Sequence, residues 1–174
     1  MIIYVAGGSK SGKSSIAEEC ARKLGGPLYY IATMIPSDEE DETRIEKHIA
    51  SRAGSGFTTI ERGRDIIGLE ADPEGTYLLD SITALLGNEM FAGGAFDESA
   101  PERVASELKA FARSVKNMIF VSDYIFCGAE DYDSYTQAYI KGLADIGCAL
   151  AEISDCAVEA MLKRPVVYKG SLPE

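Results

Sequence analysis

Gly7-Gly8-Ser9-Lys10-Ser11-Gly12-Lys13-Ser14 stands near the start of the sequence. An apolar run, Ile2-Ile3-Tyr4-Val5-Ala6, precedes it. A helical pattern over residues 15–24 follows and is stopped by Gly25-Gly26. Strand, glycine loop and helix in that order are the setting of the phosphate-binding P-loop. Glycines let backbone N–H groups converge on phosphate oxygens with no Cβ in the way. The helix adds its unpaired N–H groups and the positive end of its dipole. In this reading Ala6, Gly7, Gly8, Ser9, Lys10, Ser11, Gly12, Lys13 and Ser14 line a nucleotide site. Lys13 reaches the β- and γ-phosphates, and the Ser14 hydroxyl sits on Mg²⁺. The alternative, a glycine turn that only joins strand to helix, does not account for the lysine and the hydroxyl at these positions.

Beyond the glycine loop, strand patterns recur at residues 27–33, 57–61, 76–80 and 118–122. Helical patterns lie between them, over residues 37–52, weakly over 65–70, over 81–91, and from Pro101 to about residue 116. A long helix is predicted over 134–153, followed by a terminal hairpin of strands 157–162 and 166–168 joined by Lys163-Arg164-Pro165. Alternating strands and helices predict an α/β fold: a mostly parallel sheet with helices on both faces and one antiparallel strand from the hairpin. The whole chain, 1–174, reads as one nucleotide-binding domain. Ligands in such sheets bind beyond the carboxyl ends of the strands. The rim there gathers the glycine loop, Ala32 to Met34, Asp80, and Ser122-Asp123. Asp80 ends a buried strand, where P-loop enzymes keep a second carboxylate on the Mg²⁺ side. It could equally cap the helix that starts near Ser81, and the two roles are compatible.

The 174 residues carry 17 Lys and Arg against 28 Asp and Glu, a formal net charge of −11. That balance argues against the basic face that non-specific nucleic-acid binding requires. No apolar run approaches the length of a membrane span. The N-terminal strand is preceded by no signal-type segment, so a cytoplasmic location is expected. Cys20, Cys127, Cys148 and Cys156 form no C-x-x-C pair and are expected to be reduced structural thiols, Cys20 and Cys148 on apolar helical faces.

One histidine, His48, falls in the predicted helix over 37–52. A lone histidine is ordinarily a surface residue or a satisfied partner. Arg44 and Arg52 flank it at a spacing of four, one turn away on either side. Two guanidiniums favour a neutral imidazole and bind phosphate. A neutral imidazole beside an α-phosphate is a competent nucleophile, with pyrophosphate as the leaving group.

At these residues a resemblance becomes visible. The P-loop with Ala17-Glu18, then Tyr30-Ile31-Ala32-Thr33, Arg44-Ile45-Glu46-Lys47-His48, Phe57-Thr58-Thr59-Ile60-Glu61 and Leu78-Leu79-Asp80-Ser81-Ile82-Thr83 stand in the order and at the spacing of one family. The chain resembles the bifunctional adenosylcobinamide kinase / adenosylcobinamide-phosphate guanylyltransferases of cobalamin biosynthesis. The resemblance implies a RecA-like P-loop fold, ATP and GTP as substrates with Mg²⁺, a corrinoid acceptor and a homo-oligomer. It implies that one P-loop site phosphorylates a corrinoid hydroxyl, and that GMP is then transferred through a guanylyl-histidine at His48. It also implies nucleotide contacts from Ala32, Thr33, Met34, Ile49, Ala50, Ser51, Arg52, Glu61 and Asp80, with Glu61 facing guanine. The chain departs from the family after His48, where Ile49-Ala50-Ser51-Arg52-Ala53-Gly54 stands in place of basic residues and an Arg-Pro pair, at Phe57, at Asp80, where Glu is usual, and at Ser122-Asp123-Tyr124. Other readings of the residues are a P-loop kinase for a different small metabolite and a nucleotide-binding regulatory protein with little turnover.

Overall fold

The computed structural model describes residues 1–36, 54–125 and 131–174. The expectations for the helix over 37–52, and for Arg44, His48, Ile49, Ala50, Ser51, Arg52 and Cys127, lie outside these. In chain order the elements are β1 (Ile2–Gly7), α1 (Lys13–Leu24), β2 (Leu28–Ala32), β3 (Phe57–Glu61), a single 3₁₀ turn (Ile66–Gly68), β4 (Thr76–Asp80), α2 (Ile82–Met90), α3 (Ala100–Ser114), β5 (Asn117–Asp123), α4 (Ser134–Ile153), β6 (Cys156–Met161) and β7 (Arg164–Lys169). A second short 3₁₀ turn, Ala92–Gly94, follows α2.

The seven strands form one sheet in the order β3-β2-β4-β5-β1-β6-β7. All neighbours are parallel except β6 and β7. The strand that leads into the glycine loop is therefore interior, with β5 on one side and β6 on the other. Parallel strands covered on both faces read as continuous apolar runs. Period-two alternation then divides each run between two cores. Ile3, Val5, Tyr30, Leu78, Ile119 and Val121 pack with Ile16, Ala17, Cys20 and Ala21 of α1 on one face. Ile31, Tyr77, Leu79, Met118 and Phe120 pack with residues of α2, α3 and α4 on the other. No helix among the described residues is long and apolar enough to cross a membrane.

Several local expectations change. The predicted helix over 65–70 is only the 3₁₀ turn, because two of its residues, Gly68 and Asp65, are poor helix formers and Asp65 takes φ 52°. The hairpin turn is Leu162-Lys163, both at positive φ, and Arg164 and Pro165 belong to β7. A two-residue turn needs that conformation; leucine and lysine do not advertise it, and proline is tolerated because β7 is an edge strand. Cys20 and Cys156 are buried free thiols, but Cys148 is exposed. Burial pushes the Cys20 thiol up to about 11, as expected for an inert side chain.

Candidate active site

The glycine loop lies at the carboxyl end of β1, and its geometry explains its composition. A Cβ on Gly7 would fall 2.5 Å from Ser11 Oγ and 3.0 Å from the Ala160 carbonyl oxygen, so the loop closes down on its own first glycine. Gly12 takes φ 96°, and a Cβ there would meet Lys163 Cα at 2.9 Å. Lys10 also has positive φ, 57°. The Lys163 N–H donates to the Ser11 carbonyl at 2.8 Å. The C-terminal hairpin turn thus braces the loop from one side.

The start of α1 is open. Its N-cap is Gly12, which supplies no side-chain cap, and its first turn contains no acidic residue. By contrast, α2 is capped by Ser81, which accepts from the Ala84 N–H, and α4 by Asp133, which accepts from Tyr135 and Thr136. Three to four N–H groups at a helix start need an acceptor, and at α1 an anion can supply it. Because Ser81 caps α2, Asp80 is not the cap.

Around this opening the rim residues converge. Ser14 Oγ donates to Asp80 Oδ2 at 2.8 Å, and the Tyr30 hydroxyl donates to the same oxygen at 2.8 Å. Lys13 Nζ lies 2.7 Å from Asp123 Oδ1 and 3.4 Å from the Gly8 carbonyl. The lysine side chain is 13% exposed, the aspartate 31%. A hydroxyl and a carboxylate side by side are hard oxygen donors, the set that binds Mg²⁺ together with phosphate oxygens and water. Ser14 and Asp80 therefore fit that ion.

Ala32 stands in register between Asp80 on β4 and Glu61 on β3. The Thr33 N–H donates to the Asp80 carbonyl at 3.2 Å, and the buried Thr33 hydroxyl both donates to the Ser81 carbonyl and accepts from the Ser81 N–H at 2.7 Å. Met34 is half-buried just beyond. Glu61 is exposed at the end of the edge strand. Four strand spacings separate β3 from β1, about 19 Å across the sheet. Glu61 is therefore not brought to the phosphate loop; it borders the far end of the same rim.

Three further contacts shape the site: Tyr30 to Asp80, Lys13 to Asp123, and a clamp made by Asn88. The Asn88 amide donates to the Thr33 carbonyl at 2.7 Å and to the Gly63 carbonyl at 3.0 Å, tying the segments after β2 and β3 to α2. Strand parity does place Tyr30 on the α1 face, so that signal was available; Asn88 offered none. Replacing Asn88 by alanine strips both carbonyls of this donor and should cost about 1–3 kcal/mol. A urea melt reads that loss, and an unshifted midpoint would show that the clamp contributes nothing.

A model of the CobU family, described as cobinamide kinase / cobinamide phosphate guanyltransferase, matches residues 3–166. The chain belongs to that family. It is thereby a kinase/guanylyltransferase-type enzyme that uses nucleotides. Relatives include the bifunctional adenosylcobalamin biosynthesis protein CobU of Escherichia coli K12, 28% identical over 74% of this chain and 77% of its own length. The bifunctional adenosylcobalamin biosynthesis protein CobP of Pseudomonas aeruginosa PAO1 is 26% identical, over 95% and 96%. A solved structure, from a structural study of PH0250 of Pyrococcus horikoshii OT3, shares the fold at TM-score 0.54 and 11% identity, covering 97% of this chain and 86% of that one.

Proposed function

We propose that this family member carries out both reactions, adenosylcobinamide phosphorylation and GMP transfer to the resulting phosphate, from its one phosphate loop and as one domain. The observation that carries the reading is the open start of α1 with Lys13, Ser14 and Asp80 converging on it. In the first reaction the acceptor hydroxyl oxygen bonds to the γ-phosphorus of ATP or GTP, the bond to the β-phosphate oxygen breaks, and a nucleoside diphosphate leaves. The loop N–H groups and Lys13 stabilise charge on the transferred group. Ser14 and Asp80 would hold Mg²⁺, which neutralises phosphate charge when bound.

In the second reaction an imidazole nitrogen of His48 bonds to the α-phosphorus of GTP and pyrophosphate leaves. A phosphate oxygen of the acceptor then attacks the same phosphorus and frees the imidazole. Arg44 and Arg52 would neighbour those phosphates, and Ala32, Thr33, Met34, Ile49, Ala50, Ser51 and Arg52 would contact the nucleotide. Glu61 would accept from guanine N1–H and N2–H₂. Met161, Leu162, Val166, Val167 and Tyr168 are exposed on β6, β7 and their turn, and this apolar surface at the sheet edge supports a homo-oligomer.

Incubation with α-labelled GTP tests the second half. Acid-labile label should remain on the wild-type protein and be absent from His48→Ala. Wild-type protein that turns over yet never retains label would overturn the guanylyl-histidine route.

A further inference from the structure

We infer that Asp123 is the residue that receives the acceptor hydroxyl in phosphoryl transfer. The inference rests on the kinase half of the function proposed above and assigns a role that half leaves vacant. Asp123 ends β5, in register with Gly7, the first glycine of the loop. The next N–H, of Tyr124, donates to the Gly7 carbonyl at 2.9 Å. The Asp123 N–H donates to Thr83 Oγ1 at 2.9 Å, and the Thr83 carbonyl accepts from the Tyr139 hydroxyl at 2.8 Å. The backbone of Asp123 is thus pinned by β1 and by Thr83 of α2, which α4 anchors in turn, and its carboxylate is left only side-chain torsions. Burial pushes the Tyr139 hydroxyl up to about 12, with the Asp123 charge adding to it; Tyr139 therefore stays a neutral donor.

The two rim carboxylates have different partners. Asp80 Oδ2 is taken by Ser14 and Tyr30. Asp123 Oδ1 meets Lys13 Nζ at 2.7 Å. A P-loop lysine spans the β- and γ-phosphates, so a carboxylate touching its ammonium lies beside the phosphoryl group to be transferred. Once a triphosphate claims Lys13, Asp123 faces an anion, and like charges at that range repel. A group with a hydrogen for the carboxylate and a lone pair for the phosphorus removes the conflict. The acceptor hydroxyl is such a group. Its O–H hydrogen goes to the Asp123 carboxylate, its oxygen bonds to phosphorus, and the nucleoside diphosphate departs. Among the described residues, Glu159 is instead paired with the Tyr168 hydroxyl at 2.7 Å, and Glu61 ends β3, four strand spacings from β1.

The test uses the full chain with ATP and adenosylcobinamide, comparing wild type, Asp123→Asn and Asp123→Glu. Asp123→Asn should slow phosphorylation by about 10²-fold or more, in kcat rather than in the KM for ATP. Its ATP dissociation constant should be unchanged or lower, because a charge that repels the triphosphate is gone. Asp123→Glu should recover at least about tenfold of the loss. An Asp123→Asn variant at the wild-type rate overturns the inference. So does one that loses ATP affinity along with rate, since Asp123 would then only order the loop. Wild-type protein that phosphorylates no cobinamide defeats the kinase reading and this inference with it, before any variant is compared.

Discussion

Lys13→Ala should slow phosphorylation and GMP transfer together, each by about 10²–10³-fold, the range seen when one preorganised charge-stabilising donor is removed. The lysine begins α1, its side chain is largely buried, and its ammonium is already held over the loop between Asp123 and the Gly8 carbonyl. Little reorganisation is needed when a triphosphate arrives, so its charge acts almost in full. The fold should survive: a single, partly exposed ion pair contributes about 0–1 kcal/mol. Steady-state rates and a thermal melt on the same preparation separate the two effects. A variant within about tenfold of wild type in both reactions would show that the loop amides carry the charge without it.

Gly12→Val should damage both binding and stability. At φ 96° a residue with a Cβ pays about 1–2 kcal/mol for left-handed backbone, and a β-branched one pays more. The added Cβ would also press on Lys163 Cα at 2.9 Å, and backbone cannot swing aside as a flexible side chain would. A combined loss of about 2–4 kcal/mol is expected, together with loss of measurable nucleotide binding. Gly8→Ala is the comparison. A Cβ there meets open space, so the variant should melt with the wild type. If Gly12→Val melts there too, the hairpin turn yields and the brace on the loop is not rigid.

The legible parts of the fold were those written in local pattern. Thr76 to Leu79 and Met118 to Val121 are buried on both faces, and such runs announce interior parallel strands. The helix over 134–153 was bounded correctly because Asp133 caps it and its apolar positions keep helical spacing. The loop itself needed only eight residues. What escaped depends on pairing between distant strands. Asp123 was placed on the rim, but its approach to Lys13 follows from the Gly7 register on β1, which no spacing encodes. The exposure of Cys148 is of the same kind: an apolar-looking helix face is covered only where a neighbour reaches it. Asn88 serves two carbonyls from segments that follow different strands, and an asparagine in a helix has no periodic signature.

β1 is made before its partners, β5 and β6, and the turn that touches Ser11 and Gly12 is residue pair 162–163. A ribosome that has finished the phosphate loop has produced nothing that holds it in shape. Contacts between segments far apart in sequence form only after both segments have been made. Translation must pass residue 163 before the loop has its braces, so a chain cut short after β5 would present the motif without the site.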